Sequence, residues 1–316
     1  MPSFALPPTF PVYFRASLDF FGEICYTDKK RSTERRTPMD TNLHKLLLYI
    51  RYDGRGPADR PFCGYQAQKN GYSVQQALTE GVAALFGVPC DVTGCSRTDS
   101  GVHALMFCAT VTLRGKDYME TTVPVDRIPR ALNIHLPSEV AAYQALWVPT
   151  DFHPRYSVTS KEYIYRILNT QNRDPFATGR AWHYPRPVSD EQFNAMQRAA
   201  AAFVGKRDFT ACMAAGSKIV DATRHVMSAT VEREGDYITF RVRADGFLYN
   251  MVRIMVGTLA EVAEGHMTPE SIPARLDSLD RGSFGRTAPA EGLYLNRVFY
   301  NDPETEGYHP EKGGGV

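Results

Sequence analysis

The spacing of apolar and polar positions divides residues 43–300 into two successive blocks of strands and helices. An apolar run after His44 predicts a strand that ends at the turn dipeptide Asp53-Gly54. Helical spacing after Ser73, a plausible N-cap, predicts a helix over 74–86. Further patterns in this first block predict strands around Val92 and at 105–113 and 140–147, and a helix at 125–132.

The second block repeats this arrangement. Its patterns predict strands at 162–168, 223–233, 237–244 and 293–300, with a turn at Gly235-Asp236, and helices at 190–203 and 249–262. We therefore expect an α+β fold of two similar halves, with mostly antiparallel sheets packed by helices. The expected boundaries are 39–150 and 151–300.

The two ends of the chain lack a period of either kind. Residues 1–38 are rich in proline and then basic, which predicts a disordered extension before a natural start at Met39; a flexible basic arm that touches RNA is the alternative. Residues 301–316 are polar and glycine-rich, and we expect a disordered tail.

Composition narrows the class of protein. Hydrophobic residues make up 43% of the 316 and charged residues 22%, as in globular proteins, and the net charge is only +1. Any nucleic acid must therefore be held by a local basic face. The six cysteines form no Cys-x-x-Cys pair, which argues against zinc and against a disulfide framework. No apolar run is long enough for a membrane span and no export signal is visible, so we expect a cytoplasmic protein.

The segment from Gly94 to Ala104 holds the strongest candidate for chemistry. It lies on a turn between two predicted strands, and Arg97 and Asp99 point to the same side if the segment is extended. An aspartate beside cations stays ionised and can act as a nucleophile. The alternative is an Asx-turn in which Asp99 only caps backbone amides, and spacing alone favours that alternative.

A series of motifs spread over residues 43–300 favours the nucleophile over the Asx-turn as the role of Asp99. In chain order they are Tyr52-Asp53-Gly54, Gly64-Tyr65-Gln66, Ser73-Val74-Gln75, Arg97-Thr98-Asp99-Ser100-Gly101-Val102-His103-Ala104, Asp151-Phe152-His153-Pro154-Arg155-Tyr156-Ser157, Lys161-Glu162-Tyr163, Phe247-Leu248-Tyr249-Asn250-Met251-Val252-Arg253 and Ala290-Glu291-Gly292-Leu293. In content and order the series resembles the tRNA pseudouridine synthase A family.

The resemblance implies an isomerase that acts on uridines in the anticodon stem-loop of tRNA, at nucleotides 38 to 40. The target uridine would be flipped out, its glycosidic bond broken with help from Asp99, and the base rejoined through carbon 5. No atom is gained or lost, so no cofactor and no metal are expected. The resemblance also implies a catalytic cleft between the two halves and a homodimer. It leaves open whether Asp99 attacks the base or the sugar.

The same resemblance assigns helpers to Asp99. Arg97 would enter the space that the flipped base leaves, Tyr163 would stack on the uracil near the proton transfer, and Arg253 would pair with Asp99. Lys69 and Lys161 are candidates for contacts with the RNA backbone, with solvated surface lysines as the alternative.

His103 invites an acid–base role, but we expect a hydrogen-bonded structural residue. Three departures from the family pattern stand out: Tyr65 replaces a tryptophan, the loop 55–63 is longer than usual, and Ser96 replaces a glycine.

Two functions of other classes compete with the isomerase. An RNA-binding folding helper without turnover would have lost the aspartate, arginine or tyrosine. A base-excising glycosidase would need a second acid near Asp99, and the motif supplies none.

Overall fold

The computed structural model describes residues 43–216 and 219–300, so the predictions for 1–38 and 301–316 lie outside the described residues. Strands are β1 (His44–Tyr52), β2 (Cys90–Gly94), β3 (His103–Leu113), β4 (Val140–Pro149), β5 (Val158–Leu168), β6 (Trp182–His183), β7 (Gly205–Asp208), β8 (Thr223–Glu234), β9 (Tyr237–Ala244) and β10 (Leu293–Tyr300). Helices are α1 (Val74–Phe86), α2 (Ile128–Leu132), α3 (Asp190–Ala201), α4 (Met251–Ala263) and α5 (Ile272–Asp277).

One sheet contains the strands on both sides of residue 150. Its order is β4-β1-β3-β10-β5-β9-β8-β7, with β2 paired to β3 and β6 paired to β5. Most pairs are antiparallel; β10 with β3 and β5 with β6 are parallel. The last strand, β10, therefore lies between the strands that come before residue 150 and those that follow it. The α+β class with mostly antiparallel pairing is confirmed, while the boundary at residue 150 stays a prediction.

Helix α1, whose two ends carry clear signals, matches its prediction, while α3 begins as predicted and ends two residues earlier, at Ala201. Ser73 caps α1 by accepting a hydrogen bond from the Gln76 N–H, and Gly87, with φ of 70°, ends it. Leu78 and Val82 on this helix are fully buried. The position of α1 is therefore determined by a polar cap, a buried apolar face and a glycine in the left-handed conformation.

Three short elements were not predicted: β6, β7 and α5. β7 reads Gly-Lys-Arg-Asp and pairs with β8 without an apolar alternation. The predicted helix 249–262 instead begins at Met251, because Asn250 adopts a left-handed conformation with φ of 58° and serves as the N-cap. The predicted helix 125–132 divides into a 3-10 turn, Val125–Arg127, and α2.

Helix α4 packs unusually closely against the segment that leads into β10. A Cβ on Gly257 would collide with the backbone carbonyl of Arg286, and one on Gly285 would lie 2.7 Å from the backbone of Gly257. The Gly285 N–H also donates to Thr258 Oγ1 at 3.1 Å. This contact between two glycines brings the chain near Ala288 alongside the first turn of α4.

An ion-pair network surrounds Glu264 at the end of α4. Its carboxylate, 7% exposed, accepts hydrogen bonds from Arg286 at 2.8 Å and from the Tyr184 hydroxyl at 2.8 Å, and Arg186 lies 3.2 Å away. The hydrogen bond from Arg286 is the main reason that the pKa of Glu264 is lowered.

No helix within 43–216 or 219–300 is long and apolar enough to cross a membrane.

Removing the Arg286 charge should lower stability in a pH-dependent way. A carboxyl group whose pKa is lowered by folding stabilises the fold above its unfolded pKa, and this stabilisation disappears as the pH falls through the folded pKa. Arg286→Gln should therefore cost about 1 kcal/mol near neutral pH, since the arginine is partly solvated, and less in acid. Urea unfolding at several pH values measures this. Arg114→Gln, at the exposed pair with Asp91, is the matched control; an equal loss in both variants would contradict the prediction.

Candidate active site

Asp99 lies in the loop between β2 and β3, and two glycines hold this loop from one side. A Cβ on Gly54 would collide with the backbone of Val102, and one on Gly64 would lie 2.7 Å from the Thr98 carbonyl. Only glycine permits approaches this close. The motifs around Gly54 and Gly64 thus allow the loop that carries Asp99 to pack closely against them.

Hydrogen bonds fix the loop on both sides of Asp99. The Tyr52 hydroxyl and Thr98 Oγ1 are 2.8 Å apart, and the Ser100 hydroxyl donates to the Phe62 carbonyl at 3.0 Å. The Tyr65 N–H donates to the Thr98 carbonyl at 3.1 Å. The position of Asp99 is therefore set by its neighbours, while its own carboxylate stays available.

Arg253 meets Asp99 across the pocket. Its Nη1 lies 3.5 Å from Asp99 Oδ2. The guanidinium is held by two further acceptors: Nε donates to the Ala288 carbonyl at 2.7 Å and Nη1 to Asn250 Oδ1 at 2.9 Å. Its orientation is consequently determined by the N-cap of α4 and by the segment packed on Gly257.

Opposing effects act on the Asp99 carboxyl. Burial raises its pKa, and the Arg253 guanidinium lowers it, with burial the larger effect, so the pKa lies above its ordinary value. The side chain remains 40% exposed. The arginine thus opposes the protonation that the pocket favours.

Tyr163 projects from β5 into the same pocket. Its ring is buried and packs edge-on against Phe247 with ring centroids 4.9 Å apart. Its hydroxyl lies 3.3 Å from Ser96 Oγ, so the serine that departs from the family pattern supplies a partner to the phenol. Burial raises the pKa of Tyr163, and the hydroxyl therefore stays protonated at neutral pH.

A cavity of about 530 Å³ joins these groups. Its lining includes five of the six residues proposed from the sequence: Arg97, Asp99, Lys161, Tyr163 and Arg253. Lys161 is half-buried and donates from Nζ to the Cys95 carbonyl at 2.8 Å. Lys69 is exposed on the loop after β1 and does not line the cavity. The cavity draws on residues from both sides of position 150.

Several contributors were missed by sequence reasoning. Arg155 and Phe247 line the cavity, and Asn250 and Ala288 orient Arg253. Arg155, Phe247 and Asn250 belong to motifs recognised in the sequence, but a motif does not say which of its side chains faces a cavity. Ala288 acts through its backbone carbonyl, for which a sequence offers no signal.

His103 takes no part in the cavity. The Gly54 N–H donates to its Nδ1 at 3.1 Å, its Nε2 lies 3.2 Å from the Glu291 carbonyl, and its ring stacks on Tyr294. These contacts agree with the expectation of a hydrogen-bonded structural residue. Tyr65, which departs from the family pattern by replacing a tryptophan, is also a core residue and stacks on Phe107 with centroids 4.3 Å apart.

Outside the cavity, Glu261, Glu264 and His266 place potential metal ligands within 4.8 Å of one another. Arg286 donates to both of these carboxylates, at 3.0 and 2.8 Å. A metal ion would have to displace these arginine contacts. We therefore assign the group to the ion-pair network of α4.

Together, the fold and the cavity define a class: an α+β enzyme that presents one carboxylate, oriented by a guanidinium and flanked by a protonated phenol, to a bound substrate. A family model described as tRNA pseudouridine synthase matches residues 199–301. The tRNA pseudouridine synthase A of Acetivibrio thermocellus is 39% identical over 82% of this chain and its own entire length. That of Moorella thermoacetica is 40% identical over 81% of this chain and 99% of its own length.

The chain belongs to the tRNA pseudouridine synthase A family. It is therefore an isomerase, of a family that converts uridine to pseudouridine. Among solved structures, a Cbf5–Nop10–Gar1 complex matches at 14% identity over 80% of this chain and 59% of that chain, with a TM-score of 0.32, which is too weak a likeness to support an argument.

Removing the Arg253 charge should move the pH dependence of the isomerase. Because Arg253 lowers the pKa of Asp99, Arg253→Gln should raise that pKa further, and the acid limb of kcat/KM should shift to higher pH. The measurement is a pH–rate profile of both proteins. Arg253→Lys, which keeps a charge, should shift the limb less. An acid limb at the same pH in all three proteins would contradict the proposed pairing.

The Ser96 hydroxyl should contribute through Tyr163. Ser96→Ala removes a partner at 3.3 Å from the phenol, and one hydrogen bond contributes about 0.5–1.5 kcal/mol, so kcat/KM should fall roughly two- to tenfold. A double-mutant cycle tests this. In a Tyr163→Phe background the serine change should have no further effect; an undiminished loss there would show that Ser96 acts by another route.

Proposed function

We propose that this chain converts uridine to pseudouridine at nucleotides 38 to 40 in the anticodon stem-loop of tRNA, with Asp99 as nucleophile on a flipped-out uridine. The observation that carries the proposal is that Asp99, Tyr163 and Arg253 line one cavity, with Asp99 and Arg253 3.5 Å apart. The names of the relatives supply the substrate class, tRNA.

The chemistry is a rearrangement within one nucleotide. The bond from the sugar C1′ to uracil N1 breaks, a bond from C1′ to C5 forms, and the C5 proton leaves while N1 gains one. Asp99 bonds covalently to the base or the sugar while the uracil turns; this bond breaks again before the product leaves, which regenerates the free carboxylate. The atoms of substrate and product are the same.

Three neighbours of Asp99 have distinct roles in this scheme. Arg97, exposed at the wall of the cavity, enters the space left by the flipped base. Tyr163 stacks on the uracil with its hydroxyl protonated, which suits a proton donor. Arg253 orients the Asp99 carboxylate. The cavity of about 530 Å³ falls within the usual range of ligand sites, roughly 300–1,000 Å³.

The same proposal includes contacts and assembly beyond the cavity. Lys161 and Lys69 would contact the RNA backbone, Lys161 from within the cavity and Lys69 from outside it. The protein would act as a homodimer in the cytoplasm, and two copies would give a protein of nearly neutral net charge a longer basic surface for one tRNA.

The two competing functions receive less support. A binding protein without turnover has no need of a carboxylate, a phenol and a guanidinium gathered in one cavity. For a glycosidase, a second acid must activate water beside the first. Asp99 is the only carboxylate among the described residues that line the cavity.

The decisive experiment combines product mapping with one isosteric variant. Purified protein is incubated with unmodified tRNA transcripts, and pseudouridine is mapped by chemical probing. We expect product in the anticodon arm with the natural chain and none with Asp99→Asn, which removes the nucleophile and keeps its shape. Binding of the same tRNA by the variant shows that it is folded. Product only at other sites, or product with the variant, would overturn the proposal.

A further inference from the structure

The cavity carries more positive charge than its carboxylate balances. Arg97, Arg155, Lys161 and Arg253 line it together with one acid, Asp99. Within 43–216 and 219–300, Arg253 alone of these four cations has a carboxylate within 4.0 Å. The unbalanced positive charge therefore lies on Arg97, Arg155 and Lys161.

Lys161 is the most costly of these charges. Its ammonium is half-buried, and its hydrogen bond at 2.8 Å goes to a neutral acceptor, the Cys95 carbonyl. Burial is the main reason that the pKa of Lys161 is lowered; Cys95 acts against this shift and Arg155 adds to it. Withdrawing a cation from water without an opposite charge is unfavourable, and an anionic ligand removes that cost. Since Lys161 and Tyr163 are two residues apart on β5, both face the cavity.

Arg155 is presented by a compact turn between β4 and β5. The His153 N–H donates to Ser157 Oγ, the Ser157 N–H to the His153 carbonyl, and the Arg155 N–H to His153 Nδ1, at 3.1, 2.9 and 3.1 Å. The His153 ring packs on Tyr156 with centroids 4.3 Å apart. The turn is thus internally bonded and supplies a cation to the cavity wall that Lys161 also lines.

We propose that Arg155 and Lys161 together bind one phosphodiester group of the RNA backbone, directly beside the nucleotide whose base enters the cavity. This inference rests on the proposed function. A guanidinium donates two parallel hydrogen bonds to phosphate oxygens and an ammonium adds a point charge, so the pair complements one phosphodiester. When a nucleotide is flipped, its flanking linkages move with it, which brings a phosphate to the wall of the same cavity.

The salt dependence of RNA binding tests whether Arg155 and Lys161 contact a phosphate. In an Asp99→Asn background, which separates binding from turnover, Arg155→Gln and Lys161→Gln should each weaken binding of an anticodon stem-loop RNA about tenfold. The slope of log Kd against log salt should fall by roughly 0.7–0.9 for one lost phosphate contact. Lys116→Gln, on the exposed turn after β3, is the control and should leave affinity and slope unchanged.

Removing the charge of a single phosphate in the RNA gives a matched test. Replacing the linkage 5′ or 3′ of the target uridine by an uncharged methylphosphonate should weaken binding about tenfold at one of the two positions. That effect should vanish when Arg155 and Lys161 are both neutral, and should persist in the Lys116→Gln control. If the uncharged linkage weakens binding equally with and without the two cations, the phosphate is bound elsewhere and the inference is wrong.

Two controls keep the results interpretable. Lys161→Arg retains the charge and should retain the salt slope; should Lys161→Gln fail to fold, judged by thermal unfolding, Arg155→Gln with the methylphosphonate RNA decides alone. If the natural chain forms no pseudouridine, the proposed function fails. If it forms pseudouridine while neither cation affects the salt slope, only the phosphate site is refuted.

Discussion

The contact between Asp99 and Arg253 depends on the close packing of α4 against the chain that leads into β10. Gly257 and Gly285 allow two backbones to approach, and this approach brings the Ala288 carbonyl to the Arg253 guanidinium. The same segment continues into β10, which lies between β3 and β5 in the sheet. The position of β10 and the contact between Asp99 and Arg253 therefore both depend on this packing, and a side chain at either glycine would disturb both.

Burial and the Arg253 charge have opposite effects on the ionisation of Asp99 in the cavity. Burial strengthens electrostatic interactions, but it also raises the pKa of Asp99. The proposed role of Asp99 as a nucleophile requires the ionised form. Arg253 opposes that protonation without neutralising the carboxylate completely, since the closest contact is 3.5 Å and the Asp99 side chain stays partly open to solvent. Tyr163 is buried more deeply, where the same effect keeps its hydroxyl protonated. Differences in depth within one cavity thus keep the phenol protonated, while Arg253 favours the ionised form of the more exposed carboxyl group.

Sequence reasoning predicted the elements that have a local signal. Helix α1 has a serine cap and a terminal glycine, and β10 was predicted with its observed ends. β7 was missed because its four residues are held by pairing with β8 rather than by their own pattern. At the site, Asp99, Tyr163 and Arg253 came from motif resemblance, and no local pattern shows that they meet. Lys69 followed from position in a loop, which does not specify the direction of a side chain.

The distribution of charge decides how a nearly neutral protein can hold RNA. With a net charge of +1, the chain has little long-range attraction for a polyanion, and at physiological salt such attraction is screened beyond about 8 Å. Affinity must then come from short contacts in places where water is partly excluded. The cavity provides such a place, because its half-buried Lys161 and its neighbours Arg155 and Arg97 carry charge that Asp99 does not balance. In the proposed reaction the base is held out of its stack beside these cations. Contacts there that retain the RNA would therefore also favour the flipped state.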